Sequence, residues 1–132
     1  MDKRPIGIFD SGIGGLTVLK KLEEALPNEQ FIYLGDTLNF PYGEKSKGEI
    51  INYSKTNIEY LLSQKVKMII IACGTATSQA LEEMRSIFDI PIIGIIEPTV
   101  KYVKEMGYRK IGVIEGFFKD GAVTISKIVM MP

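Results

Sequence analysis

The chain contains no histidine, a single cysteine and no surplus of either charge, and each shortage removes a class of function. Without histidine there is no Ser–His or Cys–His nucleophile pair within the sequence, and a zinc site loses its usual nitrogen ligand, so no metal is expected. One cysteine cannot close an internal disulfide, which fits a reducing, cytoplasmic setting. Lys+Arg and Asp+Glu both number 16, and no long basic run interrupts that balance. Nucleic acid and membrane surfaces therefore have no electrostatic claim on this chain. No apolar run is long enough to span a bilayer. The opening Met1-Asp2-Lys3-Arg4-Pro5 leads into a strand and lacks the apolar core of a signal peptide.

What remains is the balance of one globular domain: 132 residues, 45% hydrophobic and 24% charged. A chain of this size buries about two-thirds of its unfolded surface. Ile6-Gly7-Ile8-Phe9 reads as a short buried strand, followed by the glycine-rich turn Asp10-Ser11-Gly12-Ile13-Gly14-Gly15. Leu16, Leu19, Leu22 and Leu26 fall at helical spacing, and Pro27-Asn28 ends that helix. Phe31 to Leu34 is a second strand. A polar loop from Gly35 to Lys47 carries Asp36, Asn39, Pro41, Tyr42 and Gly43.

Ser46 and Glu49 have the form of a capping box opening a helix with Ile50, Tyr53, Ile58, Leu61 and Leu62, where Tyr53 and Tyr60 read as packing residues. Residues 67–72 form an uninterrupted apolar strand, the mark of burial on both faces of a parallel sheet. A helix with Leu81, Met84 and Phe88 follows, then a strand at Pro91 to Ile95. Glu97-Pro98 reads as N-cap and first position of a helix buried through Val100, Val103 and Met106. Lys110 to Ile114 is a fifth strand. This alternation predicts an α/β, flavodoxin-like, doubly wound domain with a mainly parallel sheet in the order 2-1-3-4-5. Residues 115–132 break the pattern and are left unplaced.

In such sheets ligands bind outside the carboxyl ends of the strands, where the strand order reverses. Asp10-Ser11 and Cys73-Gly74-Thr75 both fall at that edge and face one cleft. A thiol at a helix N-terminus is favoured as thiolate, and so as nucleophile, metal ligand or base; the plain alternative is an inert core thiol. The Asp10 turn begins like a dinucleotide fingerprint, but its last glycine would fall at Thr17. Its amides suit a small carboxylate, with Ser11 as an extra donor; otherwise Asp10 is a local cap. Pro41-Tyr42-Gly43 reads either as a loop closing over a ligand or as a solvent-facing turn.

Taken together, Ile6 to Val18, Tyr33-Leu34-Gly35-Asp36 with Pro41-Tyr42-Gly43, Ile71 to Ala76 and Pro91 to Pro98 resemble the ordered motifs of the glutamate racemases, in the aspartate/glutamate racemase family. The resemblance runs from about residue 5 to residue 114. It implies a cofactor-independent isomerase that interconverts L- and D-glutamate for peptidoglycan precursor synthesis, using two cysteines on opposite sides of the substrate. By that resemblance Cys73 is one acid–base group and Asp10 assists it. Asp10, Ser11, Tyr42, Gly43, Gly74 and Thr75 would line the glutamate site. Residues 1–97 then form the first lobe, 98–114 begin the second, and 115–132 are a non-matching tail.

Two departures follow from the same resemblance. The family has asparagine where this chain has Gly74, and a lost substrate-binding amide costs about 1–3 kcal/mol. The family's second cysteine and its histidine have no counterpart in these 132 residues. The chain is therefore expected to behave as a truncated racemase of impaired activity, completed by a second lobe or by a homodimer. The competing expectation is a non-catalytic remnant that binds a small dicarboxylate or a protein. A thiol redox sensor is a weaker reading, because no resolving cysteine exists.

Overall fold

Continuous apolar runs decide the architecture of the computed structural model, which describes residues 1–108, 110–113 and 127–130. Strands β1 (Ile6–Asp10), β2 (Phe31–Gly35), β3 (Met68–Ile71) and β4 (Ile92–Gly94) form a parallel sheet in the order β2-β1-β3-β4. Successive side chains point to opposite faces. Ile6, Ile8, Ile70 and Ala72 accordingly pack on one face, beside Val18, Leu19 and Leu22 of α1 (Leu16–Ala25). Phe9, Ile69, Ile71 and Cys73 pack on the other face with α2 (Lys47–Ser63) and α3 (Gly74–Ile87). Both central strands are thus covered on both faces, as their continuous hydrophobic runs require.

The predicted capping box is present. The Ser46 hydroxyl accepts from the Glu49 amide at 3.3 Å, and the Glu49 carboxylate accepts from the Ser46 amide at 2.8 Å. The fourth helix differs from the sequence reading. α4 spans Ile96–Met106, its N-cap is Ile95, and Pro98 is its third residue rather than its first. Proline is tolerated there because first-turn amides have no partner inside the helix. The Glu97 carboxylate is not a cap; it takes hydrogen bonds from Arg85 at 2.8 and 3.3 Å. Nor is Tyr60 a packing residue, since it is 52% exposed, whereas Tyr53 does pack against the core.

The expected strand order is corrected at its last member. β5 (Lys110–Val113) does not extend the parallel sheet but pairs antiparallel with β6 (Lys127–Met130), Lys110 opposite Met130. β6 lies in the stretch that the sequence left unplaced, so a reader of the sequence had no partner to offer β5 but the sheet. Ile114 and the remaining residues of 115–132 lie outside the described residues. No described helix is long and apolar enough to cross a membrane.

Candidate active site

The parallel register of β1 and β3 sets Phe9 beside Ile71, and the Ala72 amide donates to the Phe9 carbonyl at 2.9 Å. Two residues further along both strands, Ser11 meets Cys73. The thiol donates to Ser11 Oγ across 3.6 Å, between residues 62 positions apart. The carboxyl-edge cleft predicted from topology is therefore formed. It has a volume of about 390 Å³ and is walled by Asp10, Ser11, Gly14, Gly15, Phe40, Ala72, Cys73, Gly74, Thr75 and Ile95.

Cys73 is the N-cap of α3, a place more often held by serine, threonine or aspartate. Its sulfur accepts from the Ala76 amide at 3.3 Å, and only 6% of the residue is exposed. An amide donor and the N-terminal end of α3 both meet that sulfur. The sulfur is buried in part by the core, yet it faces a hydroxyl and lines an open cleft.

Asp10 is 7% exposed, and one of its oxygens is fully engaged. Oδ2 accepts from the amides of Gly12 at 3.2 Å and Gly15 at 3.0 Å. Asp10 is thus the local cap that the sequence allowed, and it also lines the cleft. Its Oδ1 has no hydrogen-bond donor among the described residues. Gly15 is obligatory here: a Cβ would lie 2.8 Å from Asp10 Cβ and 3.0 Å from Ala72 Cβ. Tyr33 closes the turn from behind, donating to the Gly12 carbonyl at 2.8 Å. Burial first, then the Asp10 charge, pushes the Tyr33 phenol up to about 12, so it stays a neutral donor at any ordinary pH.

Of the residues named from sequence, the structure brings Asp10, Ser11, Cys73, Gly74 and Thr75 to one wall. Tyr42 and Gly43 do not line that cleft. Tyr42 is 1% exposed and belongs to the same buried cluster as Cys73. Its hydroxyl donates to Asp36 Oδ2 at 2.5 Å and accepts from Asn57 Nδ2 at 2.8 Å. Burial, and then the hydrogen bond to Asp36, raise this phenol well above its ordinary range. Neither the ligand-facing nor the solvent-facing reading of the Tyr42 side chain describes it. The sequence reading missed Phe40 and Ile95 as wall residues. Ile95 was within reach, because it follows β4 at the same edge of the sheet. Gly74 leaves an opening in the wall: an added Cβ there meets nothing closer than Ile95 Cδ1 at 4.0 Å.

A parallel sheet with an acid, a hydroxyl and a capping thiol beside a cleft at its carboxyl edge places the chain among the open α/β folds, and comparison with known proteins narrows that class. Residues 6–118 match the family described as Asp/Glu/Hydantoin racemase, and the chain belongs to that family. A glutamate racemase of Limosilactobacillus reuteri is 47% identical over 97% of this chain and 49% of its own length. One of Corynebacterium diphtheriae is 50% identical over 92% of this chain and 47% of its own. The chain spans about half the length of the curated relatives it matches. Among solved structures, the Thermus thermophilus glutamate racemase in complex with β-chloro-D-alanine is 44% identical, with a TM-score of 0.76 over 83% of this chain and 42% of that one. The Francisella tularensis enzyme in complex with D-glutamate is also 44% identical, with a TM-score of 0.74 over 80% of this chain and 40% of its own.

Proposed function

We propose that the cleft binds glutamate and that Cys73 is one member of the acid–base pair of a cofactor-independent glutamate racemase. The enzyme would act in the cytoplasm, and its D-glutamate would go to peptidoglycan precursors. The observation that carries this reading is the sulfur of Cys73, held 3.6 Å from Ser11 and 3.3 Å from the Ala76 amide on the wall that also holds Asp10. Racemisation moves a proton and no electrons. The Cys73 thiolate takes the α-proton from one face of the substrate, and negative charge develops on the α-carboxylate. Amides of Gly74 and Thr75 at the start of α3, with the Ser11 hydroxyl, are the donors suited to hold that charge. Asp10, fixed through Oδ2, is left with Oδ1 to assist the thiol or the substrate ammonium. The Tyr42 hydroxyl is committed to Asp36 and Asn57, and Tyr42 and Gly43 lie outside the cleft wall, so neither has a role in holding the substrate.

Inversion needs an acid on the opposite face. These 132 residues hold one cysteine and no histidine, so that acid comes from further chain or from a second copy that places its own Cys73 across the cleft. In the first case residues 1–97 are one lobe, and α4 leads into the next. In either case the isolated 132-residue monomer should exchange the α-proton with solvent without efficient inversion. Incubating it with D- or L-glutamate in heavy water, followed by NMR and chiral analysis, tests this against Cys73→Ser. Loss of the α-proton signal with the configuration retained is expected. Exchange no faster than in Cys73→Ser sinks the catalytic role, and full inversion by a proven monomer sinks the single-base reading.

The second reading is a non-catalytic module for a small dicarboxylate. Gly74 favours it, since the wall beside the sulfur carries no side chain there. Calorimetric binding of glutamate without any proton exchange would select it.

A further inference from the structure

The stretch from Asp36 to Glu44 reaches the rim of the cleft through Phe40, yet little apolar packing holds its tip. Leu38 is 91% exposed and Phe40 56% exposed, although the Phe40 ring lines the cleft and lies over Gly12. An added Cβ at Gly12 would come within 3.0 Å of Phe40 Cδ2. The ties are at the base of the loop, and they are polar and buried. The Asp36 amide donates to the Asp10 carbonyl at 2.9 Å, hooking the loop to the end of β1. The Asp36 carboxylate accepts from Tyr42 Oη at 2.5 Å and from Asn39 Nδ2 at 3.1 Å on each oxygen. Tyr42 in turn accepts from Asn57 Nδ2 at 2.8 Å, and Asn57 belongs to α2. Asp36, Tyr42 and Asn57 are 9%, 1% and 6% exposed.

We infer that Asp36, Tyr42 and Asn57 form a latch that fixes the loop to α2, holds Phe40 against the cleft and so limits which molecules reach Cys73. Asp36 and Asn57 are positioning residues; neither lines the cleft. A buried network of this kind specifies one arrangement when every member is satisfied, and loosens locally when one is removed. The Tyr42 ring keeps its own packing, 5.6 Å from Tyr53 between centroids, so deleting only the hydroxyl cuts the latch and leaves the ring.

The inference rests on Cys73 being the reactive group at that wall, but its test needs no glutamate. The 132-residue chain and its variants are reacted with a small thiol reagent, methyl methanethiosulfonate, and a bulky one, 5,5′-dithiobis(2-nitrobenzoate). Tyr42→Phe and Phe40→Ala should each raise the bulky-reagent rate by about tenfold and leave the small-reagent rate within about twofold. A merely structural role for the network would speed both reagents together, through general opening, or neither. Equal acceleration in Tyr42→Phe, or an unchanged ratio in Phe40→Ala, overturns the latch. Where Tyr42→Phe loses its far-UV circular dichroism, the exposed Phe40 decides: its truncation must still change the ratio. A chain that binds no glutamate but shows the changed ratio refutes the proposed substrate and leaves the latch standing.

Discussion

Gly15 and Gly74 share the cleft and make opposite predictions. At Gly15 a methyl group would sit 2.8 Å from Asp10 Cβ and 3.0 Å from Ala72 Cβ, both anchored by the central strands. Gly15→Ala should therefore destabilise by about 1–3 kcal/mol, the cost of overpacking a site that cannot give. At Gly74 the nearest atom is 4.0 Å away, at the far end of a flexible Ile95 side chain, and the residue opens α3. Gly74→Ala should be neutral or stabilise by up to about 1 kcal/mol, through helix propensity and a less free unfolded chain. Chemical denaturation of the two variants checks both signs, and equal midpoints would refute the contrast. The same scale shows what the sequence could reveal of the site. The position of Asp10, Ser11, Cys73, Gly74 and Thr75 at the carboxyl edge was legible because each lies at, or within a few residues of, the end of a buried strand. Tyr42 was not, because its place is decided by Asn57, 15 residues away on another element, and by the carboxylate of Asp36.

At the scale of elements, β1 to β4 and α1 to α3 were legible because burial on the sheet demands apolar runs and the helices show apolar spacing. Start signals fared unevenly. Ser46 and Glu49 are both free to cap, and they do. Glu97 is drawn instead to Arg85, whose Nε also donates to the Ile92 carbonyl at 3.0 Å, so a tertiary ion pair displaced the local cap. Single-turn 3₁₀ segments at Thr37–Asn39 and Tyr42–Glu44 were invisible in the polar loop, since so short a run leaves no periodicity to read. The capping box gives the test at this scale. α2 supplies Ile50, Ile58, Leu61 and the Asn57 end of the latch. Ser46→Ala should cost about 1 kcal/mol of stability, the usual worth of an N-cap hydroxyl. A urea midpoint that does not move would show that the first turn of α2 is held by its tertiary contacts alone.

At the scale of the molecule, strand order was legible up to β4 and failed at β5, because pairing is a long-range choice that periodicity cannot make. The lobe is tied together by two phenols from different places in the chain, Tyr33 half-buried and Tyr42 fully buried. Tyr33 on β2 closes the Asp10 turn, and Tyr42 joins the rim of the cleft to α2. Both have a folded pKa above the ordinary value of 10.0, that of Tyr33 at about 12. Between the unfolded and folded values the native state holds more protons than the unfolded one, so stability falls as pH rises across that interval. What these phenols contribute is fully present below pH 10, and the Tyr33 share is lost as pH climbs from about 10 to about 12. Tyr42 adds a loss of the same sign, because its ionisation would leave a buried charge, break its hydrogen bond to Asp36 and oppose that carboxylate. Urea unfolding at a series of alkaline pH values should give a steeper decline in midpoint for the parent chain than for Tyr33→Phe. A phenylalanine has no proton to lose, so parallel declines would place the source of alkaline instability elsewhere and refute the role assigned to this phenol.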